Sequence, residues 1–341
     1  MVKSRALGSA FSAAILLLAL TSPAKSAENP LGGTFSLTIE NDKLVNTDRH
    51  YTNGFRLGWV SDKTTSGPEE VRDALQFLYP VADLKAGRIG FSLGHTIFTP
   101  ENVETRALVP NDRPYAGWLF VGASLHAETS HIEGSDRLDM LDSVEITLGV
   151  VGPHAFGKEL QNTYHHLIDV DESNGWDHQL KDEPAINFVF ERRWRPLGYR
   201  FGSFEADAVP HIGGSLGNVF TFAGTGAVLR VGQGIKRDYG PAHIQPAMSG
   251  LEAIEPWEGL SWYLFGGVEG RAMLHNIFLD GNTFADSHSV DRNIMAGDGQ
   301  IGLAVAYGQM RAALAYVVRT KEFDGQKEMD RFGALNISWH F

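Results

Sequence analysis

Thr34-Phe35-Ser36-Leu37-Thr38-Ile39-Glu40 alternates polar and apolar residues with period two. That is the repeat of a β-strand with one face in an apolar medium and the other in a polar one. A polar cluster follows to Asn53, and then 54–60 alternates again, with Phe55, Leu57 and Trp59 on one side. The rhythm returns along the chain, so further strands are expected at 88–96, 117–126, 143–151, 185–194, 200–209, 227–234, 260–272, 300–307, 310–319 and 333–341. Most have the length of a tilted bilayer-crossing strand, about 9–11 residues. Asn336-Ile337-Ser338-Trp339-His340-Phe341 keeps the alternation to the end and places a ring where an interfacial aromatic girdle would sit. An antiparallel set of about twelve such strands closes naturally, and closure removes sheet edges that lipid does not tolerate. A soluble lipocalin-like barrel would share the alternation; export, strand number and the terminal Phe favour the membrane.

Composition narrows the classes without choosing among them. The 341 residues are 11% aromatic and 21% charged, with 38 Gly and a mean hydropathy of -0.16, values open to a soluble enzyme and to a membrane barrel alike. A formal charge of -12 argues against a nucleic-acid partner. With no Cys, disulfides, thiolate metal sites and a cysteine nucleophile are excluded. Lys3 and Arg5 precede a short apolar run over 10–20 and then small residues. This is the pattern of a signal peptide over 1–26, cleaved after Ser26 or Ala27, whose loss would take the charge from -12 to -15. The expected protein is all-β: one transmembrane antiparallel up-and-down β-barrel of about twelve strands over 28–341, with short helical loop insertions.

Two insertions break the strand rhythm. Residues 65–84 contain a helical-looking run, Glu69-Glu70-Val71-Arg72-Asp73-Ala74-Leu75-Gln76-Phe77-Leu78. Residues 151–183 contain Gln161-Asn162-Thr163-Tyr164-His165-His166, where a helix would put Gln161 and His165 on one face. His165 can take a proton from water near neutral pH, and Gln161 could orient the imidazole or bind a substrate oxygen. A histidine between strands is also commonly just solvated. The stretch 281–299, rich in Asp and Asn, reads as a mobile loop.

Three other clusters fall at strand ends, where a scaffold holds functional groups. Glu40-Asn41-Asp42 offers oxygens suited to a hard cation such as Ca²⁺, or an ordinary turn. Asp48-Arg49-His50-Tyr51-Thr52-Asn53-Gly54 offers the Thr52 hydroxyl and a charge pair, or a hairpin rim. Asn111-Asp112-Arg113-Pro114-Tyr115-Ala116-Gly117 reads as a loop fastening. None has the spacing of a zinc site, a phosphate loop, a dinucleotide fingerprint or a Gly-x-Ser-x-Gly elbow.

Taken in order, these clusters, with Gly175-Trp176-Asp177-His178-Gln179-Leu180, Gly217-Asn218 and Arg230-Val231-Gly232, resemble the outer-membrane lipid A 3'-O-deacylase family. The resemblance covers nearly the whole mature chain. It implies a twelve-stranded barrel in the bacterial outer membrane and Ca²⁺-dependent release of the 3'-linked acyloxyacyl group of lipid A. It also implies a mechanism similar to that of calcium-dependent phospholipase A2. Carried over by motif, His165 is the base and Gln161 its companion. Asn41 and Asp42 are the metal and active-site pair, and Thr52 is the active-site hydroxyl. The family's active-site lysine, beyond a Tyr-Ser-Pro element, has no counterpart after Ile97-Phe98-Thr99-Pro100; Arg106 is the cation available to replace its charge at the substrate. The family's tyrosine after the histidine has no clear match near Asp171 to Ser173. The expected partners are lipid A or lipopolysaccharide and the surrounding outer-membrane lipid. Alternatives are an esterase on another membrane lipid and a non-catalytic barrel or pore.

Overall fold

In hydrocarbon every backbone N–H and C=O must find a partner inside the protein, and alternating strands meet that demand only as a closed sheet. The computed structural model describes residues 32–45, 50–62, 69–80, 87–129, 140–168, 172–195, 198–235, 238–240 and 254–341. The expected signal peptide and the Asp48-Arg49 pair lie outside them. The strands are β1 (Gly33–Asn41), β2 (His50–Ser61), β3 (Arg88–Thr99), β4 (Ala116–Thr129), β5 (Met140–Val151), β6 (Glu183–Trp194), β7 (Tyr199–Phe201), β8 (Phe204–Gly217), β9 (Phe220–Gln233), β10 (Trp257–Asn276), β11 (Met295–Gly308), β12 (Met310–Arg319) and β13 (Asp330–His340). Neighbours in sequence pair antiparallel, β1 pairs with β13, and β6 reaches past the short β7 to pair with β8. The result is a closed twelve-stranded barrel with one short extra strand, as the alternation implied.

Three departures from the expected pattern stand out. The strand expected at 200–209 is two strands, turned at Gly202 with φ 65°, and the second runs on to Gly217. Its Pro210 pairs with Ala227 of β9 and lies one residue past the last β6 pairing, Arg193↔His211. The missing proline N–H is therefore tolerated there. Glycines 224 and 226 likewise blur the alternation of β9, which starts at Phe220, well before the expected 227. The stretch 281–299, expected to be a mobile loop, is partly strand, since β11 begins at Met295. Before it, Val290 N donates to Leu279 O (2.8 Å), Asn282 Nδ2 to Lys181 O (2.8 Å), and His288 Nε2 lies 2.7 Å from Asp112 O.

Three α-helices interrupt the described strands: α1 (Glu69–Leu78), α2 (Gly157–Ile168) and α3 (Ile277–Asp280). None is long and apolar enough to cross a membrane. Helix α1 sits at the end of the barrel where Gly33 and Phe341 pair, with Leu75 and the following Tyr79 packed against Leu125 and Val144. The opposite end carries α2 and α3.

Alternation sorts the wall into two faces. Outward residues such as Phe35, Leu57, Val121, Leu148, Ile186 and Ile301 are exposed, as a lipid-facing band requires. Inward residues fill the lumen with paired charges. Arg56 binds Glu145, which also accepts from Ser92 Oγ (3.0 Å), and Asp298 accepts from Arg271 (3.1 Å) and Arg319 (2.8 Å). A cavity of about 20 Å³ remains beside Arg56, Glu145 and Asn187, room for roughly one water. Towards the α2 end the lumen turns aromatic, with Phe98 stacked on Phe278 at 4.0 Å and Tyr51 edge-on to Phe332 at 5.1 Å.

Above this layer a clasp joins three loops. His50 Nδ1 lies 2.6 Å from Asp330, and its Nε2 lies 3.5 Å from Asp112. Arg113 donates to Glu322 (2.9 Å) with its guanidinium over Phe98 and Phe323. The Asp112 carboxylate also accepts from the amides of Glu101 (2.8 Å) and Arg113 (2.7 Å). Burial pushes its pKa up, but the hydrogen bond and charge of His50 and these amides more than offset it, holding the carboxyl below the usual range. Glu322 is depressed in the same way: the nearby Arg113 and Arg319 overcome burial.

Two outcomes follow for stability. Glu145→Ala leaves Arg56 buried without its carboxylate, and should cost about 3–5 kcal/mol, read as a lower urea midpoint in lipid vesicles. The depressed carboxylates of the clasp contribute stability that is present above their unfolded pKa, about 3.9–4.3, and is lost as pH falls through their folded values. Proteolysis of the loops should therefore accelerate below about pH 4, and Asp112→Asn should weaken that acid response.

Candidate active site

The loop from β5 to β6 carries the helix with the candidate base. It leaves the wall at Gly152, whose φ of 114° favours glycine. Residues 153–155 form a single 3₁₀ turn, and Phe156 takes a left-handed φ of 59° before α2 begins. Glu159 in the first turn and His165 and His166 in the last complement the helix dipole. Gln161 and His165 share a face, and both are buried (2% and 1% exposed), while the neighbouring Leu160 and His166 are exposed.

Which side of the wall this helix covers follows from alternation. On β3, Ser92 and Gly94 face the lumen, against Glu145 and Phe120. Phe91, Leu93, His95 and Ile97 therefore face out. Phe91 and Leu93 are exposed, but His95 and Ile97 are buried. What covers them is the loop. His95 Nε2 lies 2.6 Å from Ala155 O, and Ile97 packs with Tyr115 and Trp176. On β4, a Cβ at Gly117 would stand 3.1 Å from Gly157 Cα, so two glycines let the start of α2 press on the outer wall backbone to backbone. The candidate base therefore lies outside the lumen, between a helix and the barrel wall.

Trp176 fixes the glutamine. Its Nε1 donates to Gln161 Oε1 (3.0 Å), and its ring packs on Tyr115 at 5.0 Å. Committing the amide oxygen in this way leaves Gln161 Nε2 buried with no hydrogen-bond partner among the described residues. A buried donor without a partner costs free energy unless a ligand or water meets it, so of the two roles open to Gln161, binding an oxygen is the one this geometry favours.

Thr52 reaches the same face by a β-bulge. The β2–β3 register passes from Tyr51↔Phe98 to Asn53↔Ile97, leaving Thr52 as the extra residue. Tyr51 thereby stays in the lumen, where its hydroxyl donates to Glu40 (2.8 Å), while Thr52 bonds the Thr99 hydroxyl (2.8 Å) beyond outward-facing Ile97. Asn41 ends β1 opposite Asn53, in step with outward-facing Phe35, Leu37 and Ile39, and Asp42 follows it. Both are buried, at 4% and 1% exposed.

Arg106 is placed differently. It is exposed in the loop after β3, and its carbonyl lies 3.1 Å from His178 Nε2. That hydrogen bond ties it to the segment carrying Trp176. In the sequence Trp176, His50 and Thr99 stand only as members of longer motifs, with no role of their own. A tryptophan in a polar loop was a usable signal for the first; the partner of a bulged residue has none in the sequence.

For a metal, the described residues gather no cluster of three or more His, Asp or Glu. The adjacent amide and carboxylate of Asn41 and Asp42 fit only a hard cation that accepts neutral oxygens and water as its remaining ligands. Ca²⁺ has that chemistry.

Two solved structures are similar to the chain. LpxR from Salmonella typhimurium superimposes with a TM-score of 0.72 at 20% identity, covering 90% of this chain and all of that one. The β domain of the Bordetella autotransporter BrkA matches with a TM-score of 0.44 at 11% identity, over 91% of this chain and all of that domain. No curated protein matches the sequence. The family model for outer membrane protein LpxR matches residues 11–341, and the chain belongs to that family of outer-membrane β-barrels.

Proposed function

We propose that the protein is an esterase of the outer membrane that removes the 3'-O-linked acyloxyacyl group of lipid A, with His165 as general base and Ca²⁺ as cofactor. The observation that carries this reading is the pairing of buried Gln161 and His165 on a helix held against the outer, lipid-facing side of the wall. A site inside the lumen would require a lipid to leave the membrane. One on the outer wall meets an ester where the lipid already lies, with the α2 end of the barrel at the cell surface.

Each residue then has a task. His165 takes a proton from water as the water attacks the ester carbonyl, and returns it to the departing sugar oxygen. The imidazolium formed in between lies in the last turn of α2, where the carbonyl end of the helix favours a cation. Gln161 Nε2, with Trp176 holding its other end, donates to the oxyanion as charge develops there. Thr52, held by Thr99, positions the substrate at the bulge. Asn41 and Asp42 would hold the Ca²⁺, which when bound supplies a positive charge that polarises the carbonyl. Arg106 is proposed as a contact to the anionic headgroup.

Mass spectrometry of lipid A from expressing cells tests the reading. Wild type should remove an acyloxyacyl mass, chelator should abolish the change and added Ca²⁺ restore it. His165→Ala should lower the rate by roughly 10²–10⁴. Intact lipid A in wild-type cells containing a folded barrel would sink the proposal. Trp176→Phe keeps the ring but frees the Gln161 amide, and kcat should fall roughly ten- to a hundredfold with KM little changed.

A further inference from the structure

The outer wall beside the site is a ladder of cross-strand rows on β1, β2 and β3. Asn41 and Asn53 face each other in the row nearest α2, with Ile97 beyond. One step down is Ile39–Phe55–His95, then Leu37–Leu57–Leu93, then Phe35–Trp59–Phe91. Polarity ends at the first two rows. The last two, continued on β13, line an open groove of about 450 Å³ on the lipid side. Its floor is backbone, because Ser36, Gly58 and Ser92 belong to the inward-facing set. At its far end the rings of Trp59 and Phe91 stack at 6.2 Å and 6°.

We infer that this groove holds a hydrocarbon chain of the ester whose carbonyl sits at the Asn41–Asn53 row beside Thr52, and that the Trp59–Phe91 pair marks the depth to which that chain is bound. The inference rests on the deacylase reading and adds the determinant of chain length. Continuity carries it, since the strands that carry Asn41 and Thr52 are among those that form the groove. Distance agrees. Four residues separate Asn41 from Leu37 and six separate it from Phe35, roughly 13 and 20 Å along the strands. With the strands tilted by roughly 40° the depth is less, close to the 15 Å or so of one leaflet of hydrocarbon. A chain hanging from the site thus spans the apolar rows and ends at the ring pair. Lipid that merely coats a barrel has no such tie to one ester.

The test uses the full barrel in detergent micelles and a homologous series of 3-acyloxyacyl glucosamine esters differing only in chain length. Leu57→Trp fills the groove from a half-exposed position, and heat-modifiable gel migration reports that the variant folds. For the longest chains kcat/KM should drop about tenfold relative to the shortest. Trp59→Ala should shift the preferred length upwards. As a readout independent of turnover, a bromine at the chain end of an uncleavable ether analogue should quench Trp59 fluorescence more than bromine near the headgroup. Unaltered length profiles in both variants, or equal quenching from both positions, would overturn the groove while leaving the esterase intact. Failure of wild type to cleave any member would overturn the deacylase reading, and this inference with it.

Discussion

Backbone hydrogen bonding in hydrocarbon is the constraint from which the rest of this structure follows. An unpaired amide in lipid costs several kcal/mol, so the wall must close, and it does so through β1–β13 and β6–β8. Closure divides every strand into inward and outward sets that cannot be exchanged without a slip of register. The paired arginines and carboxylates inside and the apolar band outside are the two consequences. Any residue on the wall is thereby committed to the lumen or to lipid.

The site depends on breaking that commitment at one place. Without the bulge at Thr52, either Tyr51 would leave the aromatic layer or Thr52 would face it. With the bulge, Tyr51 remains bonded to Glu40 and the hydroxyl of Thr52 reaches Thr99. A single extra residue thus lets the adjacent positions Thr52 and Asn53 serve the same outer face while Tyr51 returns to the lumen. The loop from β5 does the complementary work by covering His95 and Ile97, making a sheltered polar interior out of surface that would otherwise meet lipid.

Much of the fold was legible because period two is a local signal that survives residue by residue. Strands such as β1 and β12 could be read almost to their ends, and α1 was legible as Glu69–Leu78. The reading shortened β8 and β9 where Pro210 and glycines hid the alternation, since the register that excuses a proline is a property of its neighbours. At the candidate site the residue types and the helical spacing of Gln161 and His165 were readable. That the helix lies outside the wall was not. It depends on contacts such as Gly117 with Gly157, far apart in sequence, and on a bulge that no composition encodes.

The clasp between His50 and Asp330 joins residues 280 positions apart, and its second partner belongs to the last strand of the barrel. The same strand is the neighbour of β1, which ends in Asn41. The outer edge of β1 and the His50 end of β2 therefore remain unfinished until the final hairpin has inserted. Competence at this site is tied to the completion of assembly, and a chain lacking only the final hairpin would hold the helix and its histidine against β3 and β4 with β1 left as an open edge and His50 unfastened.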